Sequence, residues 1–157
     1  MQDGKGMAPL ADGLCLDDFL PYLLNRISNR LNTDLAEELR GIGMTLPDWR
    51  VLAVLRVADG RSIGEVSVYT VIEQSTLSRV VERLVKRGLV KRRSPPEDQR
   101  IVNLHMTAKG HDVFETILPI AMRHYRRAVL GLDAATVEGL IETLHKVLEN
   151  IRRSPYP

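Results

Sequence analysis

The chain has 157 residues, of which 44% are hydrophobic and 27% charged, a composition that suits one compact domain with appended helices. Its single cysteine excludes an internal disulfide framework, and no apolar run reaches the roughly 18 residues that a membrane-spanning helix needs. The histidines and the cysteine lack metal-ligand spacing, and no phosphate-binding loop motif occurs, so we expect no metal, no cofactor and no enzymatic activity.

The N-terminal third is predicted to be an arm followed by one long helix. Residues 1–14 are polar and glycine-rich and do not resemble a signal peptide, so we expect a disordered arm on a cytoplasmic protein. The helix is predicted over residues 16–40, with Asp17 as its cap and Pro21 tolerated near its start. Leucine and isoleucine recur along it at helical spacing, and such a stripe needs partner helices to cover it.

Two shorter helices are predicted next. The first covers residues 47–58, with Thr45 or Leu46 near its cap, and contains Trp49, which either packs in the core or forms one wall of a ligand pocket. Further along, Ser62 and Glu65 have capping-box spacing, which predicts a short helix with Val66 and Tyr69 facing inward.

The clearest helix is predicted over residues 74–87, after a turn at residues 70–73. Apolar residues at helical spacing form one stripe, made of Leu77, Val80, Val81, Leu84 and Val85. The other positions are small, polar or charged, and Gly88 follows where a helix commonly ends. Two helices joined by a short turn, the second polar and basic on its outer face, indicate a helix-turn-helix.

A hairpin is predicted after this helix. Residues 89–93 form a short extended run, two prolines within residues 94–98 interrupt it, and residues 101–106 alternate as a returning strand. Such a hairpin beside a recognition helix is called a wing. Residues 79–100 contain eight basic and three acidic residues, a local charge of +5 in a chain of net charge +2, as phosphate binding requires.

Two helices are predicted to complete the chain. Thr107 caps the first, which runs to about residue 129 with a kink at Pro119, and Asp133 caps the second. The expected inner face of the first comprises Phe114, Ile117, Leu118, Ala121, Tyr125 and Ala128. The terminal helices hold more apolar surface than one small core can cover. We therefore predict a mainly α (α+β) fold, with a winged helix-turn-helix DNA-binding domain at residues 45–107 and a helical dimerisation domain at residues 15–44 and 108–157.

The wing and the fourth helix resemble the MarR family of winged-helix transcription regulators. The resemblance rests on Asp98-Gln99-Arg100 followed by Leu104, Thr107 and Gly110, and on Gln74-Ser75-Thr76-Leu77-Ser78-Arg79 followed by Arg83-Leu84 and Gly88-Leu89-Val90. It implies a homodimer on a pseudo-palindromic site in double-stranded DNA, acting as a ligand-responsive repressor.

DNA contacts are expected from two elements. The recognition helix would contribute Gln74, Ser75, Thr76, Ser78, Arg79 and Arg83, and the wing Arg92, Arg93, Asp98, Gln99 and Arg100. Arg79 would contact either a guanine edge or a phosphate. By resemblance, Arg100 reaches the minor groove and Asp98 orients it, although turn formation alone would also explain Asp98.

The resemblance also implies an effector pocket for a small aromatic acid or its thioester. The residues expected there are Arg26, Arg30, Met44, Trp49 and Tyr125, although the two arginines could instead form surface ion pairs with Asp34 or Glu37. Two other functions stay open at this point. One is thiol-based redox sensing through Cys15, and the other is a winged-helix protein-interaction module. The serine, threonine, arginine and lysine side chains on the outer face of the fourth helix favour DNA over a protein partner.

Overall fold

The computed structural model describes residues 13–94 and 102–151 and confirms a mainly helical fold with one small antiparallel sheet. The elements in chain order are α1 (Leu20–Gly41), α2 (Leu46–Val57), β1 (Arg61–Ser62), α3 (Ile63–Thr70), α4 (Gln74–Lys86), β2 (Val90–Arg93), β3 (Asn103–Met106), α5 (Ala108–Ala128) and α6 (Ala134–Ile151). No helix within the described residues is long and apolar enough to cross a membrane.

The start of the first helix differs from the prediction. A 3-10 turn covers Leu16–Asp18, Phe19 is extended, and α1 begins only at Leu20. A helix running through this point would bring the ring of Pro21 against the carbonyl group of the residue four positions earlier, so the proline lies in the first turn instead. Asp17 does not cap α1; its carboxylate lies 2.6 Å from the Arg26 guanidinium.

Helices α2, α3 and α4 enclose the core together with the C-terminal half of α1, the first half of α5 and the sheet. The α4 stripe was predicted correctly, since Leu77, Val80, Val81 and Leu84 are buried and Val85 is partly buried. In α3, Val66 is buried as expected. The inward orientation of Tyr69 was wrong, because its side chain is 58% exposed. Thr70 is buried in its place, and its hydroxyl donates a 2.7 Å hydrogen bond to the Val66 carbonyl oxygen.

Side-chain caps fix where the helices of the DNA-binding lobe begin. Thr45 and Asp48 form a reciprocal capping box at the start of α2, and Ser62 and Glu65 form another at the start of α3. The Ser62 backbone N–H and the Arg61 side chain lower the pKa of Glu65 to about 2. These local signals explain why the sequence predicts both helix starts.

The sheet has the order β1-β3-β2, with β3 antiparallel to both neighbours. In the hairpin, Val90 pairs with Met106 and Arg93 with Asn103. Strand β1 was not predicted, because two residues are too few to show an alternating pattern. The tip of the hairpin, residues 95–101, lies outside the described residues.

Thr107 and Gly110, two residues of the MarR-like sequence motif, join the hairpin to α5. The Thr107 hydroxyl accepts a hydrogen bond from the Gly110 N–H at 3.0 Å and donates one to the Gly88 carbonyl oxygen at 2.7 Å. A Cβ atom on Gly110 would clash with the Leu89 carbonyl oxygen, so only glycine allows this approach.

The N-terminal half of α1, the second half of α5 and all of α6 extend away from this core. Phe114 and Ile117 of α5 are buried, whereas Tyr125 and Ala128 are exposed, so the predicted inner face ends halfway along the helix. Helix α6 begins at Ala134, is capped by the carboxylate of Asp133 as predicted, and contains no buried residue. Glu38 of α1 binds both Arg123 and His124, which ties α5 to α1.

Candidate nucleic-acid interface

The outer face of α4 presents a polar surface to solvent. Gln74, Ser75, Thr76 and Arg79 are exposed, and Ser78 is partly buried. No ion pair among the described residues involves Arg79. Because the apolar stripe of α4 is packed in the core, these side chains all project from one side of the lobe and could enter a groove of DNA together.

Glu73, which the sequence analysis did not single out, caps α4. Its carboxylate accepts hydrogen bonds from the N–H groups of Ser75 and Thr76, at 3.0 and 3.2 Å, and from the Ser75 hydroxyl. The Ser75 hydroxyl and the Ser75 and Thr76 N–H groups hold the pKa of Glu73 below its usual value. The Ser78 hydroxyl donates to the Gln74 carbonyl oxygen at 2.8 Å. The position of Glu73 directly before the helix was the available signal for this cap.

Arg83, a predicted DNA contact, is bound by two residues at the start of α2. Its guanidinium donates to the Asp48 carboxylate at 2.7 Å and to the Thr45 hydroxyl at 3.1 Å. The Asp48 side chain is completely buried, whereas the Arg83 side chain is 44% exposed. Arg83 therefore fastens the recognition helix to the start of α2. The sequence did not show this pair, because its members lie 35 positions apart.

The wing places further positive charge beside α4. Lys91, Arg92 and Arg93 of β2 are exposed. Three of the predicted wing contacts, Asp98, Gln99 and Arg100, lie outside the described residues, so their roles stay predictions.

The base of the wing is anchored to the end of α2. The Asp59 carboxylate accepts a hydrogen bond from the Met106 N–H at 2.8 Å and lies 2.8 Å from His105 Nδ1. The Gly60 N–H donates to the Leu104 carbonyl oxygen at 3.0 Å. These contacts hold the hairpin in a fixed position relative to α2.

The residues expected in one effector pocket are dispersed. Arg26 and Arg30 line a groove along α1, Tyr125 lines a cavity between α5 and α6, and Met44 is buried in the core. Arg30 lies 3.3 Å from Asp34, one of the ion-pair partners expected for it. The single chain therefore does not bring these residues into one cavity, because helical periodicity does not show which helices lie next to each other, and the effector pocket stays a prediction.

Trp49 lies instead in a cavity of about 540 Å³ between α1, α2 and α3. Its lining residues are Ser28, Trp49, Arg50, Ala53, Val54, Tyr69, Thr70 and Val71. The Trp49 ring stacks on Phe114, with a centroid distance of 5.2 Å. The Arg50 guanidinium donates to the Thr70 carbonyl oxygen and to Asn32 Oδ1, both at 3.3 Å. Two aromatic rings and one cation therefore meet beside the last turn of α3.

Cys15, the candidate redox residue, is exposed just before the 3-10 turn. Across the described parts of the chain, no group of three histidine, cysteine or acidic residues could hold a metal ion.

Comparisons with known proteins agree with this geometry. A model described as "MarR family" matches residues 42–101. The transcriptional repressor IacR of Pseudomonas putida is 30% identical over 143 residues, which cover 91% of this chain and 86% of that protein.

Two solved structures are similar over most of the chain. A MarR-family regulator from Silicibacter pomeroyi is 35% identical with a TM-score of 0.83, over 89% of this chain and 94% of that one. BpsR of Bordetella bronchiseptica, whose DNA binding is regulated by 6-hydroxynicotinic acid, is 27% identical with a TM-score of 0.73, over 82% and 97% of the two chains.

Proposed function

Because the chain belongs to the MarR family and is a DNA-binding transcription regulator rather than an enzyme, we propose that it binds as a homodimer to a pseudo-palindromic operator and represses transcription until an effector binds. The observation that carries this proposal is the exposed polar face of α4 beside the exposed arginines of β2. Half-site centres would lie about 10 bp apart, one turn of the double helix.

Base contacts are assigned to the first turns of α4. Gln74, Ser75, Thr76, Ser78 and Arg79 would face the major groove, and the Arg79 guanidinium would donate two hydrogen bonds to the O6 and N7 atoms of a guanine. We leave Arg83 out of this set, because Asp48 and Thr45 already bind its guanidinium. Arg92 and Arg93 would contact phosphates, together with Arg100.

Replacing Arg79 with alanine tests base reading. Arg79→Ala should weaken binding to the preferred operator by about 1–3 kcal/mol and relax the preference at one position in each half-site. The measurement is a titration of operator and scrambled duplexes. Arg56→Ala is the matched control, since it removes one exposed arginine from α2, where Glu115 lies 3.7 Å away. Equal weakening on both duplexes would assign Arg79 to a phosphate instead.

Dimerisation is supported by apolar surface that the single chain leaves uncovered. Leu20, Leu23 and Ile27 of α1 are 40–48% exposed, and Leu140, Ile141, Leu148 and Ile151 of α6 are 44–66% exposed. Exposed apolar residues repeated along terminal helices favour association with a second copy. A dimer presents two recognition helices to DNA and therefore reads a longer site than a single winged helix can read.

We place the effector in the cavity lined by Trp49, Arg50 and Tyr69. An aromatic acid, or its thioester, fits this lining, because rings stack on tryptophan and tyrosine and a carboxylate pairs with arginine. Regulation of BpsR by 6-hydroxynicotinic acid supports the same class of ligand for this chain. The cavity adjoins Val71 at the turn of the helix-turn-helix, so an occupant could alter the position of α4.

A panel of aromatic carboxylates and their thioesters tests the cavity. An effective compound should quench Trp49 fluorescence and lower operator affinity at least tenfold, which requires about 1.4 kcal/mol of preference for the form that does not bind DNA. Arg50→Ala should remove the response, whereas Arg26→Ala, in the separate α1 groove, should retain it. A panel in which no compound quenches Trp49 or releases DNA would contradict the assignment.

A further inference from the structure

The two serine hydroxyls on the outer face of α4 both use their only hydrogen within the protein. The Ser75 hydroxyl donates to the Glu73 carboxylate, and the Ser78 hydroxyl donates to the Gln74 carbonyl oxygen. A serine hydroxyl has one hydrogen and two lone pairs. In this arrangement each oxygen therefore has only lone pairs left to offer DNA.

Glu73 fixes the direction of its hydrogen bond with Ser75. Besides the hydroxyl, its carboxylate accepts the N–H groups of Ser75 and Thr76. These three donors hold the pKa of Glu73 below its usual value, so the group is ionised at neutral pH and can only accept. The serine must then be the donor.

Glu73 also affects electrostatics at the DNA surface. It occupies two N–H groups at the start of α4, where a helix otherwise attracts phosphate, and it adds negative charge beside a polyanion. Both effects weaken binding to every DNA sequence. Glu73 therefore stabilises the start of α4 as a cap but does not contribute to general affinity for DNA.

We propose that Glu73 is a positioning residue for base reading, which makes Ser75 a hydrogen-bond acceptor that prefers the amino bases adenine and cytosine. In the major groove, adenine N6 and cytosine N4 are the donors, whereas guanine O6 and thymine O4 are acceptors that an acceptor hydroxyl rejects. The inference rests on the proposed function, in which the first turns of α4 face base edges.

Glu73→Gln reverses the polarity of Ser75 and keeps part of the cap. With its carbonyl oxygen in the Oε1 position, the glutamine still accepts the Ser75 N–H, while its amide group in the Oε2 position gives up the Thr76 N–H, donates to the Ser75 oxygen and releases the serine hydrogen. Ser75 then becomes a donor toward the groove. Ser78 is an internal reference, because its hydrogen bond goes to a backbone carbonyl that this substitution does not touch.

The experiment selects preferred sites from randomised duplexes with the wild type, Glu73→Gln, Ser75→Ala and the double variant, after thermal unfolding has shown each to be folded. Ser75→Ala identifies the position at which preference is lost. The wild type should favour adenine or cytosine there, and Glu73→Gln should shift the ratio of amino to keto bases about tenfold toward guanine or thymine. The double variant should match Ser75→Ala.

The proposal is overturned if Glu73→Gln keeps the wild-type preference at that position, if its shift persists without the Ser75 hydroxyl, or if Ser75→Ala alters no position. A wild-type protein that binds duplex DNA without selecting any sequence would overturn base reading by α4, and this inference with it. If the protein still selects a base at the DNA position read by Arg79, and Ser75→Ala has no effect, the role of Glu73 and Ser75 is overturned while base reading by α4 stands.

Discussion

Two aspartates placed on the exposed apolar face of α6 should convert the protein to a monomer and reduce operator binding by about 100-fold or more. The variant is Ile141→Asp with Leu148→Asp, two turns apart on the same side of the helix and 44% and 46% exposed in the single chain. A dimer interface would bury both carboxylates without partners, which strongly disfavours association. The monomer should stay folded, because α6 contributes no buried residue to the core.

Thr143→Asp is the matched control. It adds the same kind of charge on the opposite side of α6, where the threonine hydroxyl donates only to the Gly139 carbonyl oxygen. Sedimentation should show a dimer for this variant and a monomer for the double aspartate variant. Monomeric protein that still binds the operator as tightly as the wild type would refute the dimer.

Arg83→Ala should destabilise the fold by about 2–3 kcal/mol and weaken binding to all DNA sequences. The substitution leaves the buried Asp48 carboxylate with no charged partner, and the half-exposed position of Arg83 reduces the usual cost of breaking a buried pair. Asp48 also receives the Thr45 N–H at 2.9 Å, so part of the capping box would persist. The measurement is denaturant unfolding combined with duplex titration.

A double-mutant cycle shows whether the loss of stability belongs to the pair. Asp48→Asn should be less damaging in the Arg83→Ala background than in the wild type, because the unpaired charge is then removed. Lys86→Ala is the comparison, since it breaks an exposed pair with Glu82 at 2.9 Å and should change stability by less than about 0.5 kcal/mol. A similarly small effect of Arg83→Ala on stability would contradict the structural role assigned to this arginine.

The parts of the fold that local chemistry determines could be predicted from the sequence. The helix start near Thr45, the capping box at Ser62, the apolar stripe of α4 and the caps at Thr107 and Asp133 each depend on residues a few positions apart. The order of the helices and the hairpin along the chain predicted the winged helix-turn-helix fold. Tyr69 was misplaced because the periodicity of an eight-residue helix does not distinguish it from Thr70 as the inward residue.

The parts that depend on packing between distant segments could not be predicted. The pairing of Arg83 with Asp48, and the cavity where Arg50 meets Trp49, both depend on how α2 sits against its neighbours. Glu73 was missed for another reason. Its position directly before α4 is typical of a cap, but glutamate is not among the usual capping residues, and the three donors that bind its carboxylate are visible only in the structure.

Duplex titration of the wild type and of Arg92→Ala/Arg93→Ala, at about 50 and 200 mM salt, tests most directly whether α4 and the wing form a DNA-binding surface. Wild-type affinity should fall steeply between the two concentrations, because neutralised phosphates release counterions. The variant should bind more weakly and show a shallower slope of log K against log salt, by about 0.9 for each phosphate that it no longer neutralises. No binding by the wild type at the lower salt concentration, or identical slopes for the two proteins, would contradict a DNA-binding surface formed by α4 and the wing.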